Sequence, residues 1–229
     1  MGLNLIETLP RYESYKSVAY RRINKKQGVK KTAYSVATEV EIGNDHKDFL
    51  LADYHYERDR ILIFASEEAR EMIKNQKIFF CDGTFKKCPR PFKQLYVIFC
   101  DLGSTEDKNF VVPVAYILLG NKKKETYILM LEMIKSQIPE WNPSKFISDY
   151  EQSFIGAVRS VFPLSKHHGC YFHYQNQLWR KAKRLNLKMQ NKNRKIVALC
   201  TVLPLLPLSR IDDGWDYIVS EIDVVGRDV

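Results

Sequence analysis

The sequence predicts an α/β fold: a mixed five-stranded sheet flanked by helices, with a small N-terminal α+β region ahead of it. Three observations predict it. Three short runs rich in apolar, β-branched and aromatic residues follow one another at 77–82, 94–100 and 110–118. After them, stretches with helical periodicity alternate with short strand-like runs up to residue 171. No repeat of fixed period and no Gly/Ser linker interrupts this order.

Residues 1–75 are polar and aromatic-rich without clear periodicity, and no role is read for them beyond nucleic-acid contact. Ser66-Glu67-Glu68-Ala69 reads as a helix start, with Ser66 as the cap and acids in the first turn. Lys77–Asp82 is an apolar run closed by an acid, Gln94–Cys100 a second strand and Phe110–Leu118 a third. Pro113 has no amide hydrogen for a ladder, which places the third strand at a sheet edge. The connections of 11 and 9 residues between these runs suit antiparallel neighbours. Tyr127, Met130, Leu131, Ile134 and Ile138 share one helix face, with Glu125, Glu132 and Lys135 pointing away, and Pro139 ends the helix. Lys145–Asp149 is a short strand that again ends in an acid, Gln152–Phe162 a helix stopped by Pro163, and Lys166–Tyr171 a fifth strand. Residues 172–188 and 191–203 read as helices, the first strongly basic. Right-handed β-α-β crossovers make the first and fourth strands neighbours.

Composition narrows the function classes. Apolar residues at 45% and charged residues at 28% mark a globular chain rather than a disordered one. The longest apolar runs are too short to cross a bilayer, and no secretory signal opens the chain, so no membrane partner is expected. Five cysteines, odd in number and scattered, do not form a disulfide scaffold and suit a reducing compartment. The net charge of +9 favours polyanions. It is concentrated: six basic residues lie between Arg21 and Lys31 and eight between Arg180 and Lys195, while residues 146–162 hold only Arg159. The candidate phosphate contacts are Arg21, Arg22, Lys25 and Lys26 in the first block and Arg180, Lys181, Lys183 and Arg184 in the second. A solvated helix face is the plain alternative for the second block, and Trp179 beside it reads as core.

Asp82 and Asp149 carry the chemistry. They lie 67 positions apart, yet each closes an apolar strand. Two carboxylates converging at adjacent strand ends repel each other, and a divalent cation relieves the repulsion. Such ions assist phosphodiester cleavage and strand transfer. The plain alternative is that each Asp caps the turn after its strand.

Three motifs in order add a family. Cys81-Asp82-Gly83-Thr84-Phe85, Ile147-Ser148-Asp149-Tyr150-Glu151-Gln152-Ser153-Phe154 and Cys170-Tyr171-Phe172-His173 resemble the transposase domain of Mutator-like elements, as does the intervening Val112–Leu119 strip followed by Glu125-Thr126-Tyr127. The resemblance covers roughly residues 77–205. It implies an RNase H-like fold, a DDE-type DNA transposase using Mg²⁺ or Mn²⁺, DNA as partner, a nuclear location and no small-molecule substrate, and it leaves a homo-oligomer open. Asp82 and Asp149 match the first two catalytic, metal-binding acids, and Cys170 and His173 the family's C-x-x-H pair. The third acid is expected in an Asn-rich stretch before Glu-Gly, which the chain lacks before Val229. Glu221, Asp212 and Asp213 sit in the wrong context, and a helix around Glu221 is expected to be short.

The expected domains are therefore 1–75, a transposase domain at 76–205 and a truncated C-terminal segment at 206–229, with weak or absent activity for want of the third acid. A non-catalytic, domesticated DNA-binding or interaction protein is the alternative. A zinc site built from Cys170 and His173 with His167, His168 or Cys88 is disfavoured, because no second ligand pair completes it. A true RNase H-type nuclease needs more clustered carboxylates, for which Glu125 is the sole further candidate. No cysteine precedes Cys81, so no upstream zinc module for recognising element ends is expected.

Overall fold

A computed structural model of the chain describes residues 34–56, 59–187 and 191–226. The first basic block, Arg21, Arg22, Lys25 and Lys26, lies outside the described residues. Among the described residues, seven strands form one sheet: β1 (Leu50–Tyr56), β2 (Asp59–Phe64), β3 (Ile78–Thr84), β4 (Gln94–Asp101), β5 (Val111–Leu119), β6 (Lys145–Ser148) and β7 (Lys166–Gly169). Six α-helices accompany them: α1 (Glu67–Asn75), α2 (Lys124–Gln137), α3 (Gln152–Val161), α4 (Tyr171–Arg184), α5 (Asn191–Val202) and α6 (Ile211–Gly226).

The strand order is β1-β2-β5-β4-β3-β6-β7. β3, β4 and β5 form an antiparallel meander, and β6 and β7 add in parallel beyond β3 through helical crossovers. This is the expected five-stranded arrangement and has the order of an RNase H-like α/β fold. The sheet has seven strands rather than five, because the β1–β2 hairpin pairs antiparallel onto β5 through Leu62–Leu118, Ile63–Ile117 and Phe64–Tyr116. Residues 50–75 thus belong to the sheet and its first helix. Ser66 accepts from the Ala69 amide and caps α1 as its sequence suggested.

The hairpin also corrects the placement of the proline strand: β5 is internal. Pro113 nevertheless avoids a ladder conflict. The β2 pairing covers only residues 116–118 of β5, and on the β4 side the register shifts so that Ile98 faces Ala115 and Phe99 faces Pro113. Pro113 therefore sits at a bulge, in the half of the strand that β2 does not reach.

The main core fills the sheet face covered by α2 and α3. Along β4, Gln94, Tyr96, Ile98 and Cys100 are buried and alternate with half-buried residues. The predicted apolar face of α2 is the buried one: Tyr127, Met130, Leu131 and Ile134 lose all solvent contact. Phe79, Trp141, Phe146, Phe154 and Phe162 pack edge-on or tilted with ring centroids 4.9–6.2 Å apart. Buried Arg60 on β2 forks onto Asp53 at 2.6 and 2.7 Å and donates to the carbonyls of Ala37 and Val40, tying the segment before β1 to the hairpin. All five cysteines are free thiols. No helix among the described residues is long and apolar enough to cross a membrane.

Candidate active site at the ends of two parallel strands

Pleat and register position the two aspartates. On β3, Phe79 and Cys81 point into the core, which turns Asp82 to the opposite face, where it is exposed. On β6, Phe146 and Ser148 are buried. β3 and β6 pair in parallel as Ile78–Lys145, Phe79–Phe146 and Phe80–Ile147, a constant offset of 67. The same offset separates Asp82 from Asp149, which lies one residue past β6 and two positions beyond the last paired residues, Phe80 and Ile147. The Asp149 side chain curls onto the backbone amide of Glu151, accepting at 3.1 Å, at the start of α3. Asp149 thus caps the turn after its strand.

α4 brings the C-x-x-H pair to the same end of the sheet. Cys170 is the N-cap of α4, and its amide donates to the Ser148 carbonyl at 2.6 Å, which anchors the helix to β6. One turn into α4, His173 places Nε2 3.6 Å from Oδ1 of Asp82, an ion pair when the ring is protonated. Its Nδ1 is buried without a hydrogen-bond partner among the described residues. His167 does not join: it meets Ser148 Oγ at 2.8 Å. Ser148 Oγ also donates to the Asp149 carbonyl at 3.0 Å, so the hydrogen in the His167 contact comes from the ring. Among the described residues no group of three or more His, Cys, Asp and Glu is arranged to hold a metal ion.

Behind the aspartates lies a polar cluster that sequence reasoning missed. Gln94, 1% exposed, lies across Gly83, where an added Cβ would stand 2.1 Å from Nε2 of Gln94. The Tyr127 hydroxyl is 3.1 Å from Oε1 of Gln94 and 3.1 Å from Oε1 of Glu151. Lys122 donates to the other Glu151 oxygen at 3.1 Å, and its ammonium sits 4.0 Å from the centroid of the Phe85 ring. Burial pushes the Tyr127 phenol well above the usual range, so it stays protonated. Glu151, Tyr127 and Phe85 belong to the motif segments of the sequence, whereas Gln94 and Lys122 carry no sequence signal, being common residue types on separate elements.

The second basic block divides around α4. Arg180, Lys181 and Arg184 line a cleft of about 490 Å³ with Tyr174, Gln177 and Leu178. Lys183 opens instead onto a second cleft with half-buried Trp179, Asn186, Leu187 and Arg194. At 100° per residue the four basic residues spread over about 160° of the helix, with Lys181 and Lys183 at its two margins. Trp179 is therefore a cleft wall rather than core. Glu221 is engaged elsewhere, accepting from Lys195 at 2.7 Å and from Tyr217 at 2.8 Å. The helix around it, α6, is 16 residues long rather than short. Exposed Glu125 borders a cavity with Tyr54 and Tyr56.

A mixed sheet of this order with helices packed on it defines an RNase H-like α/β domain. Residues 78–177 match the family model of the MULE transposase domain, from the start of β3 to the middle of α4. The match supports a MULE transposase domain over these residues. No curated protein matches the chain.

Proposed function

We propose that this domain is a DDE-type, metal-dependent DNA-processing domain of Mutator-like transposase descent, in which Asp82 and Asp149 hold a divalent cation against a DNA phosphate. The observation that supports this most is the shared offset of 67 between the β3–β6 register and the two acids, within the span that matches the MULE transposase domain.

The donor set fits Mg²⁺ or Mn²⁺. Carboxylate oxygens are hard ligands, and a site with two of them is completed by water and substrate oxygens. A bound cation would supply concentrated positive charge beside the scissile phosphodiester. The chain's own residues do the rest. The Glu151 amide holds one oxygen of Asp149, and His173 flanks Asp82. His173, Gln177, Arg180 and Arg184 recur at i, i+4, i+7 and i+11 along α4, a stripe of about 16 Å at the 1.5 Å rise of a helix. It leads from Asp82 to the basic cleft and suits a DNA backbone leaving the acids. Positioned charge dominates catalysis of this kind, so turnover depends on both acids. The protein then works in the nucleus, on DNA.

A second reading, a non-catalytic DNA-binding protein of the same descent, draws on the basic cleft of α4. One experiment separates the two. Plasmid DNA carrying inverted-repeat ends is incubated with the full chain and Mn²⁺ or Mg²⁺, and binding is measured in parallel with and without EDTA across a salt series. The first reading expects metal-dependent nicking that Asp82→Asn and Asp149→Asn abolish. Salt-sensitive binding indifferent to EDTA, with no nicking above the Asp82→Asn background, overturns it in favour of the second.

A further inference from the structure

Glu151 lies two residues past Asp149, and two separate connections run from its carboxylate back to the segment that carries Asp82. The first passes from Oε1 to the Tyr127 hydroxyl on α2 and on to Gln94 on β4, whose amide lies in the notch left by Gly83, the residue after Asp82. The second passes from Oε2 to Lys122, whose ammonium rests on the ring of Phe85, three residues after Asp82.

We propose that Glu151 is a positioning residue. Through Tyr127 and Gln94 on one side, and Lys122 and Phe85 on the other, it holds the end of β6 that carries Asp149 against the end of β3 that carries Asp82. The inference rests on the reading of Asp82 and Asp149 as a cation-holding pair. It assigns the motif glutamate to the support of that pair rather than to its ligand set.

The chemistry of the cluster agrees with this role. Both Glu151 oxygens are engaged by protein groups, one by a phenol and one by an ammonium. The carboxylate is largely shielded, with 18% of its side chain exposed, whereas the Asp82 side chain is 56% exposed. The proton count is informative too. Tyr127 has one proton, two acceptor oxygens stand at 3.1 Å from it, and Nε2 of Gln94 is buried without a partner among the described residues. Rotating the Gln94 amide by half a turn lets the amide donate to Tyr127 and Tyr127 donate to Glu151, with the Gln94 oxygen taking the place of the unpartnered nitrogen. The cluster then becomes a one-way chain of donors ending on the carboxylate, and it leaves the Asp82 and Asp149 carboxylates to the cation.

The test measures binding of Mn²⁺ alone to the full chain, by the electron paramagnetic resonance signal of free Mn²⁺, with thermal melting of each variant in parallel. Wild type binds and Asp82→Asn does not. Tyr127→Phe, which removes one hydroxyl from a buried ring, and Lys122→Met, on the exposed surface, each keep the fold and weaken Mn²⁺ binding by about 10- to 100-fold, the range for residues that orient ligands. Glu151→Gln, whose amide oxygen still accepts from Tyr127, retains more affinity than Glu151→Ala. If Tyr127→Phe and Lys122→Met both bind within about twofold of wild type, far inside that range, the positioning role is overturned. Loss of binding in Glu151→Gln as complete as in Asp82→Asn makes Glu151 a ligand and overturns it equally. Failure of wild type to bind Mn²⁺ overturns the cation-site reading beneath it. Lys122→Met decides the matter should Tyr127→Phe not fold.

Discussion

Replacing Gly83 by alanine probes the packing behind the aspartates. No positive φ demands glycine here; among the described glycines only Gly103 has one. The demand comes from the neighbouring strand. A Cβ on residue 83 would lie 2.1 Å from Nε2 of Gln94, 3.2 Å from its Cδ and 3.1 Å from Cδ2 of Tyr96. Gln94 is buried and bonded to Tyr127, and Tyr96 is locked between the rings of Tyr127 and Phe154, so neither yields freely. Forcing one carbon into such a site costs about 1–3 kcal/mol, and a displaced Gln94 loses a buried hydrogen bond worth about 1 kcal/mol more. The sum is about 2–4 kcal/mol. At about 2–4 °C per kcal/mol for a chain of this size, the melting temperature falls by about 4–16 °C. Differential scanning calorimetry of Gly83→Ala reads this directly. Gly83→Ala/Gln94→Ala, which removes the obstructing amide, is less destabilised than the two single changes predict by about 1 kcal/mol or more. A Gly83→Ala protein that melts with wild type, or a double variant that is strictly additive, would refute the steric reasoning.

Two further outcomes concern stability alone. Arg60→Met leaves Asp53 without its forked partner and the Ala37 and Val40 carbonyls without their shared donor; a loss of about 3 kcal/mol is expected in urea unfolding. Arg60→Lys does not restore it, because one ammonium cannot span the fork and the carbonyls together. The third outcome is a pH dependence. Burial, and then the charges of His168 and Arg159, lower the His167 pKa below its ordinary 6.5. Below pH 6.5 the unfolded chain therefore binds this proton more readily than the folded one, so the His167 contribution is complete above that value and is lost as pH falls through the folded pKa. His167→Gln is expected to flatten the acid limb of stability against pH in that window, and an unchanged limb rejects the assignment.

Reading elements from the chain succeeded where local physics decides alone. Ser66 caps α1 because a side-chain oxygen at that position meets an orphan amide whatever surrounds it. The α2 face was legible because five apolar residues at helical spacing have one way to be buried together. The β1–β2 hairpin was missed for the opposite reason. Leu50–Tyr56 lacks alternation, with its last four residues exposed, and what makes it a strand is its partner, although Ile61–Phe64 was an apolar run that could have flagged β2. The fate of Pro113 likewise depended on how far β2 runs along β5, which the residues around the proline do not encode.

By itself, the order of residues determined that two core-forming strands would each carry an aspartate at the far end of their apolar run, although β3 continues past Asp82 to Thr84 because β4 goes on pairing with it. Tertiary structure alone decided what stands behind them. Gln94, Lys122, Tyr127 and Glu151 come from a strand, a loop, a helix and a helix cap, and each is an ordinary residue in its own segment. They become a cluster because a glycine without a side chain lets one strand's amide lie across another, and because burying three aromatic rings on one sheet face brings a phenol to the edge where the parallel strands end.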